Sequence, residues 1–258
     1  MSYQTITYTA AEGLAVIALN RPEVMNALNR QLRLDLIDGI ARAAREARAL
    51  VLTGTGRAFC SGQDLSDPAV QGDLDFEGVL NNEYVPLLTA IYDCPIPTIA
   101  AVNGAAAGAG ANLALAADVV IATESAVFVQ AFSRIGLIPD AGGTWWLPRQ
   151  MGMPRAMGAC LFADPVPARQ AAEWGMIYEA VSDDQFEARW RDRAQKLAQG
   201  PTAAYRATKQ ALRAASTNTL ADQLALEARL QGQCGRTQDF KEGVAAFLEK
   251  RKPRYTGA

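Results

Sequence analysis

The sequence predicts an α/β fold in which a largely parallel sheet gives way to a helical tail. Short apolar runs rich in Val, Ile and Leu alternate with amphipathic segments, and from about Pro154 onward the strand signal fades. Strands separated by helices imply crossover connections and therefore parallel pairing. With 258 residues, half of them hydrophobic, the chain can bury a large core.

In chain order, strands are expected at Gly13 to Asn20, Ala49 to Gly54, Pro97 to Asn103 and Asp118 to Thr123. Their near-continuous apolarity is that of strands covered on both faces. Between the first two, Arg30 to Arg45 places Leu34, Ile37, Ile40, Ala41 and Ala44 at helical spacing. Phe76 to Tyr92 repeats the pattern with Val79, Leu80, Leu87, Leu88 and Ile91. Further helices are expected after Gly108 and near Gly143. In the later part, one strand candidate at Ile177 to Val181 stands among helices near 183–199, 202–215, 219–234 and 237–250. The expected division is a core over 1–200 and a helical region over 201–258.

Composition excludes several classes of function. Twenty-five basic against 27 acidic residues leave a net charge of −2, with no general attraction to nucleic acid or an anionic membrane. No apolar stretch approaches the ~18 residues of a membrane span. Met1 to Thr9 lacks a signal-peptide pattern, and the expectation is a cytoplasmic protein. Cys60, Cys94, Cys160 and Cys234 are too scattered for a redox pair or a zinc knuckle. The chain has no histidine, which removes Ser-His and Cys-His nucleophiles and the common His-based metal sites, so no metal is expected. Proton transfer must fall to Asp, Glu, Lys, Tyr or Cys.

Two segments combine glycine, small residues and a position at the carboxyl end of a strand. They are Arg57-Ala58-Phe59-Cys60-Ser61-Gly62-Gln63-Asp64-Leu65 and Asn103 to Asn112, with glycines at 104, 108 and 110. Ligands of parallel sheets bind at this end, and glycine lets backbone N–H groups approach an oxyanion. The alternative for either segment alone is tight helix–strand packing. A dinucleotide site fits poorly, because the first strand ends in Asn20-Arg21-Pro22 and no third glycine stands at Leu113.

Together with Asn20-Arg21-Pro22-Glu23-Val24-Met25-Asn26-Ala27-Leu28, Ile99 to Gly104 and Ile138-Pro139-Asp140-Ala141-Gly142-Gly143-Thr144, these segments resemble the crotonase (enoyl-CoA hydratase/isomerase) family in order and spacing. The resemblance runs nearly end to end. It implies a spiral of ββα turns, a C-terminal helical trimerisation region and a homotrimer or dimer of trimers. It also implies an acyl-CoA thioester substrate, with no cofactor beyond the CoA that the substrate carries. By the same resemblance the N–H groups of Gln63 and Ala109 form the oxyanion hole, while Val24, Ala27, Ser61, Asp64 and Leu65 embrace CoA. Phe247 and Lys250 match a terminal helix that reaches CoA, often across a subunit boundary.

The family's hydratases carry two glutamates where this chain has Asn112 and Phe132. Neither replacement can deprotonate water or exchange a proton at Cα. Asp140 stands where those hydratases have glycine. Dienoyl-CoA isomerases and ring-epoxide isomerases of phenylacetate degradation have aspartate there, and residues 132–149 (FSRIGLIPDAGGTWWLPR) are especially similar to the latter. Asp140 is then the base for a 1,3-proton shift, with Phe132, Ile138, Trp145 and Trp146 as apolar neighbours that raise its pKa. The bland reading is a helix cap or turn residue. Asp64 and Asp118 read as structural, and Glu83 and Asp93 as borders of the acyl pocket. Two other functions stand beside the isomerase: a hydratase with atypical residues, and a non-catalytic acyl-CoA-binding protein.

Overall fold

The computed structural model describes residues 3–66 and 75–258. Strands β1 (Ile6–Ala11) and β2 (Leu14–Leu19) form an antiparallel hairpin, closed by Glu12 and Gly13 at positive φ of 52° and 78°. Helix α1 (Arg30–Glu46) starts where the Asn29 side chain accepts from the Leu32 N–H, and it crosses over to β3 (Ala49–Gly54), parallel to β2. Strand β4 (Ala58–Cys60) turns away into a second sheet.

The segment from Phe76 to Tyr92 is helical as expected, but in three parts: α2 (Phe76–Val79), a π-helical turn over Leu80–Tyr84, and α3 (Val85–Tyr92). Pro86 has no N–H to give to the preceding turn, and the Val85 N–H bonds back five residues to the Leu80 carbonyl. The wider turn carries Glu83 and Tyr84.

The next repeat is β5 (Thr98–Val102), β6 (Ala105–Ala107) and α4 (Ala109–Leu115). It is followed by β7 (Val119–Thr123), β8 (Val127–Val129), α5 (Gly143–Met151) and α6 (Met153–Phe162). Each repeat gives one strand to the larger sheet and one to the smaller. Strand β9 (Val166–Pro167), α7 (Ala168–Glu173) and β10 (Glu179–Val181) complete sheets of order β1-β2-β3-β5-β7-β10 and β4-β6-β8-β9. From β2 to β10 the larger sheet is parallel, with Val51 beside Ile99 and Ile99 beside Val119.

One face of this sheet, with Leu50, Leu52, Ala100 and Val102, packs against Leu32, Leu36 and Ile40 of α1 in the main core. The other face, with Val51, Ile99, Ala101 and Ile121, is covered by Phe186, Trp190 and Ala194 of α8 (Phe186–Ala198). Helices α9 (Thr202–Ala214), α10 (Leu220–Cys234) and α11 (Gln238–Leu248) follow. Asp118 ties α9 to the sheet: it accepts from Thr98 N–H and pairs with Lys209 and Arg213, each at 2.7 Å. Arg48 makes another link, bonding Thr202 Oγ1 at 3.1 Å and the Tyr255 carbonyl at 3.0 Å.

Several elements differ from the sequence expectation. Strand β1 was not expected, because only Ile6 of its six residues is buried and its apolar signal is weak. Strands β4, β6 and β8 have three residues each, too few for a period to show, and β4 and β6 lie within the glycine-rich segments. Helices α6 and α7 were likewise missed.

Candidate active site

The two glycine-rich segments meet because β4 and β6 pair in parallel, with Ala58 opposite Ala105. Gly110 makes the approach possible: a Cβ there would lie 2.3 Å from the Cys60 carbonyl oxygen. The first segment is fixed by the polypeptide around residues 21–28. Ser61 N–H donates to the Met25 carbonyl at 3.0 Å, Leu28 N–H to Gly62 at 2.7 Å, and Asp64 N–H to Leu28 at 3.1 Å. This is a one-residue parallel bridge between Leu28 and Gln63. Leu28 engages residues 62 and 64, so the N–H of Gln63 itself points away from that strand, and it has no acceptor among the described residues. Ala109 is the first residue of α4, after Gly108 at φ 52°, and its N–H is one of the helix-end donors without an intrahelical acceptor.

Gln63 and Ala109 line a cavity of about 300 Å3 together with Asp140. The turn that carries Asp140 is held through its backbone: its carbonyl accepts from Gly143 N–H at 2.8 Å and from Asn112 Nδ2 at 2.8 Å. The side chain does not cap α5, whose N-cap is Gly142 without a side-chain bond. Its Oδ1 is buried with no hydrogen-bond partner among the described residues, and no cation pairs with it there. Burial therefore pushes the Asp140 pKa up from 3.8 to about 6. The expected cause was in part wrong. Phe132 and Leu137 line the cavity, but Ile138 is 78% exposed. Trp145 and Trp146 face a different groove, against Tyr92 and Arg213.

Of the residues expected to bind substrate, Ser61, Leu65 and Phe132 also line the cavity. Trp145 does not. Val24 and Ala27 stand behind the first segment, where the Val24 carbonyl accepts from Ser61 Oγ at 3.3 Å. Asp64 is committed to Arg21 at 2.9 Å and to Ser66, which hold its carboxyl below the usual range against the opposing effect of burial. Asn112 is fully buried: besides holding Asp140 it accepts from Gln130 Nε2 at 3.0 Å, so it positions the loop rather than facing a ligand. Phe247, 83% exposed, and Lys250 do not line the cavity of their own chain. Glu83 borders the cavity as expected, whereas Asp93 lies on another surface.

Sequence reasoning missed Arg33, Tyr84, Arg30 and Arg134, all of which line the cavity. Arg33 is only 3% exposed and binds one oxygen of Glu83 through Nε (2.9 Å) and Nη2 (2.6 Å). Arg30 adds a longer contact to Glu83 at 3.5 Å. Glu83 is thus a neutralised partner, in contrast to Asp140. A signal did exist: Arg33 shares the helical face of Leu36, Ile37 and Ile40, an unusual place for a charge. Cys60 lies under α4 with its thiol pushed up to about 12 by burial, which makes it a packing residue.

A family model described as Enoyl-CoA hydratase/isomerase matches residues 9–258. A Rhodobacter capsulatus protein described as a probable enoyl-CoA hydratase is 65% identical over 257 residues, 100% of each chain. The 1,2-epoxyphenylacetyl-CoA isomerase of Escherichia coli is 47% identical over 251 residues, 95% of this chain and 96% of that protein. Among solved structures, an enoyl-CoA hydratase from Bacillus anthracis matches with a TM-score of 0.94 at 32% identity, covering 99% of this chain and 100% of that one.

Proposed function

We propose that this chain, which belongs to the enoyl-CoA hydratase/isomerase family and has its crotonase fold, is an acyl-CoA isomerase with Asp140 as its only base. The observation that carries this reading is the partly buried Asp140 carboxyl, whose Oδ1 has no partner among the described residues, in one cavity with Gln63 and Ala109. The thioester carbonyl accepts from both N–H groups, which stabilise the charge that gathers on oxygen as the enolate forms. One such donor is typically worth ~3–4 kcal/mol. Asp140 takes the Cα proton, and the C–H electron pair enters the enolate. The same carboxyl then returns the proton two carbons away, so the double bond moves with no net gain or loss of atoms. A base near pH 6 is ionised at neutral pH yet more basic than an ordinary aspartate.

The preferred substrate is ring-1,2-epoxyphenylacetyl-CoA. Its proton shift accompanies opening of the C–C bond shared by epoxide and ring, giving the oxepin. The 47% identity to the Escherichia coli isomerase supports this choice, as does a small cavity walled by Leu65, Phe76, Leu80 and Phe132. In a trimer or dimer of trimers, Phe247 and Lys250 would serve the CoA of a neighbouring subunit.

The test is a panel of ring-epoxide, 3-enoyl- and 2-enoyl-CoA thioesters, with products followed by mass spectrometry and absorbance. Isomerisation without gain of water is expected. Water addition to 2-enoyl-CoA as the main reaction would replace this reading with the hydratase suggested by the Rhodobacter relative, and tight binding without turnover would leave an acyl-CoA-binding protein.

A further inference from the structure

Around the Gln63 N–H, a polar network is buried where a packing role would call for apolar side chains. Arg33 Nη1 donates to Gln63 Oε1 at 2.9 Å and to the Leu28 carbonyl at 3.1 Å, so one guanidinium touches both strands of the isolated Leu28–Gln63 bridge. Tyr84 Oη donates to the same Gln63 oxygen at 2.5 Å. The Arg33 guanidinium lies 4.8 Å from the centre of the Tyr84 ring, and its Nε and Nη2 bond to Glu83. The π-turn puts Glu83 and Tyr84 at this spot.

The Gln63 N–H belongs to the peptide that follows Gly62, a residue at φ +95° with no side chain to restrain it. On that side the peptide is held by a single bond, from Leu28 N–H to the Gly62 carbonyl. A second restraint, on the Cα of Gln63, comes from its side chain, whose amide oxygen receives two donors. With the Asp64 N–H bond to Leu28 on the far side of Gln63, the side-chain anchor adds to the backbone bridge in fixing the direction of this peptide. Electrostatic stabilisation of an enolate depends on that direction, because an N–H must already point at the oxygen before charge arrives.

We infer that Arg33 is a positioning residue, which with Tyr84 and through the Gln63 side chain aims the Gln63 N–H at the thioester oxygen. The inference rests on the oxyanion reading of Gln63. Arg33 is engaged with Gln63, the Leu28 carbonyl and Glu83, so it acts on the reaction through the Gln63 N–H rather than by touching a reacting atom. Its loss therefore acts on the transition state more than on binding.

The experiment is a double-variant cycle of Arg33→Met and Gln63→Ala, read in two ways. Turnover of the best panel substrate should fall ~10- to 100-fold in kcat in each single variant, with KM changed less than ~3-fold. The infrared carbonyl stretch of bound, carbonyl-labelled phenylacetyl-CoA, which has no double bond to move, should lie closer to its free value in each variant than in the parent. The double variant should match the worse single variant in both readouts, because both changes break one connection. Effects of the two substitutions that multiply, or an unchanged stretch and kcat in Arg33→Met, would overturn the inference. A parent protein that leaves the stretch at its free value would instead refute the oxyanion reading. If Arg33→Met does not fold, a cycle of Arg33→Gln with Gln63→Ala carries the same test: non-multiplying losses support the inference, and multiplying or absent ones overturn it.

Discussion

Replacing Asp140 by Asn is expected to slow the reaction and stabilise the protein together. Burial raises the folded-state pKa of Asp140 from 3.8 to about 6. A shift of that size is worth ~3 kcal/mol at ~1.4 kcal/mol per unit. Asp140 keeps part of its surface in solvent, and screening reduces the expected value to ~1–2 kcal/mol. Below pH ~4 the carboxyl is protonated in both states and carries no penalty. Between pH ~4 and ~6 the unfolded chain releases the proton first, so stability falls as pH rises, and above that window the full cost persists. The amide of the variant cannot ionise and escapes this cost. At pH 7.5 the Asp140→Asn protein should melt ~2–6 °C above the parent, and the gap should close below pH ~4. Turnover should drop ~10²- to 10⁴-fold, the range of general base catalysis, while acyl-CoA still binds. The parental kcat/KM should rise with pH through an apparent pKa of about 6. Thermal melts across pH and steady-state kinetics check both halves. A turn-forming Asp140 would give the reverse: a lower melting point and a nearly parental rate.

Gly110→Ala places a methyl 2.3 Å from the Cys60 carbonyl and must push α4 away from β4. Activity should fall at least ~10²-fold as the two donors separate, measured alongside circular dichroism to show that the fold survives. The amphipathic tail leaves Phe240, Phe247 and Leu248 exposed on one chain, so light scattering should give a trimer or hexamer. A stable monomer at micromolar concentration would contradict this. In that assembly Lys250→Ala should raise KM with little change in kcat, and a fall in kcat at constant KM would speak against a remote contact with CoA.

How far the chain could be read depended on what each residue's neighbours were. Strands β2, β3, β5 and β7 showed in the sequence because both faces of the sheet are covered, so the runs are apolar and nearly continuous. Strand β1, at an edge, shows one buried residue and blends with loop. The π-turn depends on one missing N–H at Pro86, which helical periodicity does not register. Within the site, Gln63, Ala109 and Asp140 could be found because the order and spacing of their segments resemble the family, and the structure places all three on one cavity. Arg33, Tyr84 and Glu83 come from α1 and the π-turn, 50 residues apart for the Arg33–Glu83 pair, and only packing brings them together. The tryptophans failed in the opposite way, since residue type gave the right character and said nothing about which way α5 would turn them.

Asn112 has a further consequence, for how this protein relates to the hydratases of its family. Its amide both donates to the backbone of Asp140 and fits against Gly143, where even a Cβ would come within 2.5 Å. A glutamate at 112 could not donate to that carbonyl, would be longer, and would set a second negative charge near Asp140. Introducing one hydratase-type carboxylate at 112 therefore removes the hydrogen bond that holds the Asp140 turn. On the proposed reading the two layouts differ at positions 112, 132 and 140 together, because the Asn112 amide holds the turn that carries Asp140 and Phe132 walls the same cavity.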